Sequence, residues 1–406
     1  MKKCILLLGV TALLLFSCKK QEVKEVVTKE SQASLSEGES VNEFSTLATT
    51  IVNVTPTTVL NTAFWSNIQT LLQSNPVDVV FADGTYNLTS TISLNNIGHA
   101  TNNLELKCAT GGSAVITGSI AKLMGLSYCK NILIHRLKFT GAVTDYALTI
   151  QRSQDVTVAY CRFENMPNVY YGAVGAHYAT SDNIIVRQNY FANVGVGSTA
   201  HMIYGAYGVT RLKVINNTFK DCAGAFVRFR GDNSTHGVVY GNTFTSTGTY
   251  LTGVNPIFVE VPVFNDVNPG DEKFGTSFMV TANNFTYSTS GSQSTRYAMV
   301  FHHSGYNPTG RTHLISVADA TTLGSGSSTV AAKRAIMSTK LGLDGTKILF
   351  GGNTNSNVAA NVSYRCQGGY GAVAPWTGVV SIGTAVTASG VATSYADALT
   401  FYDDLY

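Results

Sequence analysis

Charge is scarce in this chain of 406 residues: Asp, Glu, Lys and Arg make up 13% of it, and the formal net charge is only +3. So small a balance, with no dense run of Lys and Arg in the body of the chain, argues against a nucleic-acid partner. Cysteine is thin as well. Past the N-terminal region there are five, Cys108, Cys129, Cys161, Cys222 and Cys366, and their spacings fit neither a zinc site nor a CxxC redox motif. Burial as small apolar side chains is the expectation for most of them, with a disulfide left open. The apolar run at the N-terminus, Ile5 to Phe16, is too short to span a bilayer as a mature helix.

That run follows Met1-Lys2-Lys3 and leads into Ser17-Cys18. The order resembles a bacterial lipoprotein signal, residues 1–17, with Cys18 as the acylated first residue of the mature protein. Phe16 departs from the small residue usual at its position. The resemblance implies attachment to a membrane of the cell envelope through acyl chains alone. Residues 18–50, mixed in charge and rich in Ser, Glu and Val, read as a flexible tether.

The rest is rich in Gly, Asn, Ser and Thr, and through its middle a phrase returns: Asn189-Tyr190-Phe191, Asn217-Thr218-Phe219, Asn242-Thr243-Phe244 and Asn283-Asn284-Phe285. Degenerate copies end at Phe139 and Phe163, and successive Phe residues from Phe139 to Phe244 lie 24, 28, 28 and 25 residues apart. Each copy closes a run of β-branched and apolar residues, so the period is one solenoid coil. Residues 51–385 are therefore assigned to an all-β solenoid. Two strands per coil are expected, one ending in the Phe and one preceding it, such as His201 to Tyr207 and Ala225 to Gly231. Stacked coils would align the Phe residues in an internal ladder, and the Asn residues in a second ladder at a bend, their amides bonding to the coils on either side. Repetition of that kind marks the Asn residues as structural rather than catalytic.

Ala63 to Leu72 has helical apolar spacing and stands ready to cover the open end of the first coil, while residues 386–406 read as a C-terminal cap. Between Phe244 and Phe285 the period is interrupted by an irregular insertion around Thr245 to Lys273. Beyond Ser304 the repeat weakens, with one late coil at Lys347 to Asn353.

Chemistry is sought on outward positions. In Val227-Arg228-Phe229-Arg230 the apolar residues face inward, so Arg228 and Arg230 point out on one face, about 7 Å apart. Such a pair calls for an anion, either Asp232 or Glu260 of the protein itself or the acidic groups of a ligand. One coil earlier, 24 residues before Arg228, stands Tyr204, close to His201 and Tyr207; farther along the same sheet are His177-Tyr178 on one side and Glu260 and His302-His303 on the other. A single His on such a face is ordinarily structural. The group of Tyr, His, Arg and Glu is what points to an elongated ligand.

The stretch Asn216 to Gly224, followed by Phe226-Val227-Arg228-Phe229-Arg230-Gly231 and Gly241 to Phe244, resembles the central coils of right-handed parallel β-helix polysaccharide lyases, nearest in phrasing to the alginate and chondroitin lyases of polysaccharide lyase family six. The resemblance spans about residues 180 to 245. It implies a single-stranded right-handed parallel β-helix with short helical caps, acting on an acidic, uronate-containing polysaccharide by β-elimination, as a monomer. That family uses a Lys one coil upstream as base and an Arg near a Leu-Arg-x-Gly phrase; this chain offers Tyr204 and His201 where the Lys would stand.

Catalysis is accordingly expected from Tyr204, His201, Arg228 and Arg230, and substrate binding from His177, Tyr207, Glu260 and His302. An Arg would neutralise the uronate carboxylate and stabilise enolate-like charge. A tyrosine, whose side chain ordinarily titrates near pH 10, would need that Arg beside it to act as base. No cofactor is implied: a calcium site wants several carboxylates together, and this face shows mainly Glu260 and Asp232. A hydrolase would need two carboxyl groups across the scissile bond, for which Asp145, Asp232, Glu260 and Asp266 are the candidates. A non-catalytic glycan-binding or structural solenoid is the remaining alternative.

Overall fold

A computed structural model of the chain describes residues 48–110, 113–231, 234–250, 256–264, 273–288, 296–303, 315–358, 360–366, 374–375, 379 and 381–382. The lipoprotein signal, Cys18, nearly all of the tether, Asp232, Asp266 and the expected cap at 386–406 lie outside those residues.

The chain winds into three parallel sheets, which we call A, B and C, of 11, 9 and 10 strands. Each full coil visits them in that order: Asp182–Arg187 in A, Tyr190–Val194 in B and His201–Ala206 in C, then Thr210–Ile215, Thr218–Cys222 and Ala225–Phe229 in the next. This is the all-β parallel β-helix anticipated, and right-handed winding is the sense parallel crossovers take almost without exception.

Three strands per coil replace the two expected. The Asn-x-Phe phrase does not end a single strand; it straddles the bend from A to B. The residue just before the inward-facing position, Arg136, Tyr160, Gln188, Asn216, Gly241, Ala282 or Gly352 in successive coils, adopts a left-handed conformation with φ between 52° and 65°. One such residue turns the chain sharply enough to start a new sheet. Most of these residues are not Gly, which costs each about 1–2 kcal/mol. The Asn that follows repays part of that. Asn217 Oδ1 accepts from the Asn189 backbone N–H at 2.9 Å and from Asn189 Nδ2 at 3.0 Å, while Asn217 Nδ2 donates to Val186 O at 2.8 Å. The same pattern links Asn217 to Asn242, Asn242 to Asn283 and Asn283 to Asn353.

Beside this ladder the rings of Phe139, Phe163, Phe191, Phe219, Phe244 and Phe285 stack with centroids 4.8–5.0 Å apart and no exposure to solvent. Cys108, Cys129, Cys161 and Cys222 are buried free thiols in the same interior, and burial raises the last two to about 12.

The N-terminal cap is a helix, Thr62–Leu72, started by Asn61 accepting from the Phe64 N–H and burying Trp65, Ile68 and Leu72. A strand not foreseen, Thr50–Val54, precedes it and pairs with Val77–Phe81. Two further helices also escaped the sequence reading, Val317–Gly324 and Val330–Leu341, inserted between the sheet C strand Tyr297–His303 and the sheet A strand Ile348–Gly351. The insertion after Phe244 is split by a sheet C strand, Val259–Val263, so that one part lies before it and the other after it.

Candidate functional site

Strand register on sheet C turns the 24-residue offset into a direct pairing. Tyr204 pairs with Arg228, and Arg228 with Glu260, so three successive coils present these side chains in one outward row. Thr149 and Gly175 continue that row on the two preceding coils.

Glu260 ties the row together. Its Oε2 accepts from Arg228 Nε at 2.9 Å and lies 2.7 Å from Arg228 Nη2, and its Oε1 accepts from His302 Nδ1 at 3.1 Å. The anion demanded by Arg228 is thus supplied by the protein. Burial by itself would push the Glu260 carboxyl up, but Arg228 first and the His302 hydrogen bond second outweigh it and hold the group below the ordinary carboxylate range.

Two imidazoles are oriented through Nδ1. Nδ1 of His302 donates to a carboxylate and Nδ1 of His201 donates to the Ala225 carbonyl at 3.2 Å. A neutral imidazole carries one N–H, so a neutral His201 keeps a lone pair on Nε2, and among the described residues neither Nε2 has a hydrogen-bond partner. Burial, and then the positive charge of Arg228, hold His201 well below its usual titration range. His177 is held down to about 3, by burial and then by Lys122. Both rings are neutral near pH 7.

Aromatic rings fill the space between these groups. Tyr204 sits 5.2 Å from His201 and 5.6 Å from His177, and the Arg228 guanidinium lies 5.8 Å from the Tyr204 ring centre. His177 also meets Tyr146 edge to face at 4.9 Å. Gly175 makes that contact possible: a Cβ there would come within 2.3 Å of His177 Nε2 and 2.6 Å of the Tyr146 ring. Arg230 lies just beyond its strand, its guanidinium 5.0 Å from the Tyr207 ring and its Nη1 3.3 Å from Tyr207 Oη.

All eight residues singled out in the sequence for catalysis or binding are therefore brought into one connected cluster. Two members were missed. Tyr146 lies two coils before Tyr204 at the start of its strand, and Phe264 comes from the insertion, packing over Arg228 at 5.5 Å, Arg230 at 5.1 Å and His302 at 5.7 Å. Only its place in the irregular insertion around Thr245 to Lys273 set Phe264 apart in the sequence. The cluster is well covered: His201 is 1% exposed, and Tyr204, Glu260 and His302 are each 4% exposed. Among the described residues Glu260 is the carboxylate found in it, and no group of three or more His, Cys, Asp or Glu side chains is arranged to hold a metal ion.

No protein-family profile matches the chain, and no curated protein matches it. Solved structures similar to it include an alginate lyase from Paenibacillus sp. str. FPU-7, at 14% identity over 78% of this chain and 98% of the other, with a TM-score of 0.42. A mannuronic acid specific polysaccharide family 6 lyase from human gut microbiota matches at 12% identity over 79% of this chain and 76% of its own, with a TM-score of 0.38. ORF18 of Geobacillus virus E2 matches at 14% identity over 78% and 61%, with a TM-score of 0.32. Likeness at this level leaves the chemistry to be read from the residues themselves.

Proposed function

We propose that the protein binds an acidic, uronate-containing polysaccharide along the outer face of sheet C and cleaves it by β-elimination. The observation that carries this reading is the meeting, on adjacent coils, of Tyr204 and two guanidiniums with the imidazole of His201, whose Nδ1 is engaged and whose buried Nε2 has no partner among the described residues.

Elimination asks for positive charge at the uronate carboxylate, a base at C5 and a proton for the departing glycosidic oxygen. Arg230 and Arg228 provide the positive field, where it favours the enolate-like charge of the transition state over the ground state. His201 is neutral near pH 7, so its Nε2 lone pair is the one to take the C5 proton; a uronate anion brought beside it opposes Arg228, the smaller of the two causes that lower its basicity, and so raises it. The Tyr204 hydroxyl, on the ring next to both, donates to the leaving oxygen. Glu260 is a positioning residue that fixes the Arg228 fork and orients the His302 ring.

A non-catalytic glycan-binding role is the second reading, and one observation favours it: Arg228 is already neutralised by Glu260 and lies beneath Phe264. One assay separates the two. Incubation with alginate, pectin, glucuronan and glycosaminoglycans should give the absorbance of unsaturated uronate with at least one of them, and Tyr204→Phe and His201→Ala should each lower that rate about 100-fold or more. Binding without new absorbance or new reducing ends would favour the second reading, and reducing ends without the absorbance would mean hydrolysis.

A further inference from the structure

At the corner where sheet C turns into sheet A, one residue per coil takes a left-handed conformation: Tyr128, Arg152, Tyr178 and Tyr207, with φ of 55°, 49°, 75° and 61°. The backbone N–H of each of the first three bonds to the coil that follows, Tyr128 to Gln151 O at 3.0 Å, Arg152 to His177 O at 3.2 Å and Tyr178 to Ala206 O at 3.0 Å. The four side chains accordingly stand one above another. The Arg152 guanidinium lies 4.1 Å from the Tyr178 ring centre and 5.6 Å from that of Tyr128. Tyr178 stacks on Tyr207 at 5.6 Å with the planes 21° apart, and Arg230 sits 5.0 Å from Tyr207. The result is a continuous column, Tyr, Arg, Tyr, Tyr, Arg, running along the solenoid axis and ending at the cluster described above.

The left-handed conformation does not account for these side chains. At the A-to-B bend the same conformation is taken by Arg136, Tyr160, Gln188, Asn216, Gly241, Ala282 and Gly352. Nor is the charge of Arg152 used inside the protein: among the described residues no carboxylate forms an ion pair with it, in contrast to Arg162, Arg211 and Arg228. Stacking occupies the two faces of a guanidinium and leaves its N–H edge for in-plane hydrogen bonds to a carboxylate. Arg152 is exposed, and Tyr128 beside it is 55% exposed. Stacked coils repeat at about 4.8 Å, so the three coil steps from Arg152 to Arg230 span about 14 Å, the reach of a short oligosaccharide.

We propose that this column is a second acidic-sugar subsite, in which Arg152 takes the carboxylate of a uronate several residues along the chain from the one at Arg230, with the rings of Tyr128 and Tyr178 against its sugar. The ligand then runs parallel to the solenoid axis, and the smallest ligand that engages both ends is an oligosaccharide acidic at each. This inference rests on the acidic-polysaccharide reading above.

Its test is isothermal titration of the full chain with oligouronates of defined length prepared from alginate, pectin and glucuronan. In the parent protein affinity should rise between the disaccharide and the pentasaccharide. In Arg152→Gln that gain should fall about tenfold, the size of one charge-assisted contact. Arg152→Lys should restore part of it, and Tyr128→Leu, which leaves the guanidinium in place, should lose a smaller part. An unchanged gain in both Arg152→Gln and Tyr128→Leu, with the parent still binding and eliminating, overturns the subsite alone. Failure of the parent to bind or cleave any of the oligouronates overturns the acidic-polysaccharide reading and the subsite with it.

Discussion

Replacing Glu260 by Leu should destabilise the protein strongly, and replacing Arg228 by Met in the same molecule should recover most of that loss. Glu260 is 4% exposed and receives Arg228 through two nitrogens, at 2.9 and 2.7 Å, and His302 at 3.1 Å. Removing the carboxylate alone leaves a largely buried guanidinium uncompensated, which costs about 3–5 kcal/mol. Exchanging both partners for apolar side chains of similar volume removes the charge together with its need for a partner, and such exchanges are often neutral or stabilising. The coupling in a double-mutant cycle should therefore be about 2–4 kcal/mol, against about 0.2–1 for an exposed pair. Urea denaturation of the four proteins, followed by circular dichroism, measures it. A single Glu260→Leu loss under about 0.5 kcal/mol, or a double variant whose loss equals the sum of the singles, would refute the reasoning. The cycle also bears on function: if the pair is kept for the reaction rather than for stability, Arg228→Met/Glu260→Leu should be folded, stable and inactive. Acid should act on the same pair. The folded-state pKa of Glu260 lies below the unfolded value near 4.5, so its stabilisation is complete above that pH and is lost as pH falls through the folded value.

Two further predictions concern the interior. His177, held down to about 3, and His201, held well below 6.5, are neutral when buried but take up protons near pH 6.5 once unfolded, so the unfolded chain binds more protons and stability should decline as pH drops below about 6.5. His177→Phe should flatten that decline in urea titrations between pH 7 and 5, and a parent protein with pH-independent stability over this range would contradict the burial assigned to both rings. Asn217→Ala should cost about 3 kcal/mol, because it strips the acceptor from the Asn189 N–H and Nδ2 and the donor from Val186 O at a site only 1% exposed. A shift worth less than about 1 kcal/mol in the denaturation midpoint would mean that the ladder is not what holds the bend.

The fold was legible because a solenoid states its rule many times over: Phe139 to Phe285 and Asn189 to Asn283 fill the same two interior rows coil after coil. What the repeat could not show was where its own phrase bends. Arg136, Tyr160, Gln188 and Ala282 carry positive φ without being Gly, so nothing in their chemistry announces a corner, and Asn216 alone of the non-Gly residues there is of a type that favours it. The helices at Val317–Gly324 and Val330–Leu341 did leave signals, the Ser316 and Asp319 capping box and the Thr329 cap with left-handed Gly342 at the far end, but these are quiet beside an expectation of further coils. The site was legible to the degree that coil length served as a ruler. No insertion separates Tyr204 from Arg228, so a 24-residue offset became a direct pairing. Phe264 follows an interruption, where the ruler fails.

The interruptions themselves obey a constraint that explains why the candidate site lies on sheet C. Among the described residues, from Arg187 onward every passage from sheet A to sheet B uses two residues, as at Gln188-Asn189, Asn216-Asn217, Gly241-Asn242 and Gly352-Asn353. The ladder enforces this. Each Asn must reach the backbone N–H of the neighbouring coil at 2.8–2.9 Å, and an extra residue at the bend would carry it out of range and leave buried amides unpaired. Added length can then enter only at the two edges of sheet C, as it does before Val259–Val263, between Val263 and Phe278 and between His303 and Ile348. Phe264, at the start of one of these additions, packs over Arg228, Arg230 and His302 on that face. The outward row between those edges, Thr149, Gly175, Tyr204, Arg228 and Glu260, is also the row whose residues differ from coil to coil, since no interior ladder fixes their identity. A solenoid that secures its stability in the A-to-B bend in this way leaves sheet C to vary, and that freedom is what lets chemistry accumulate there.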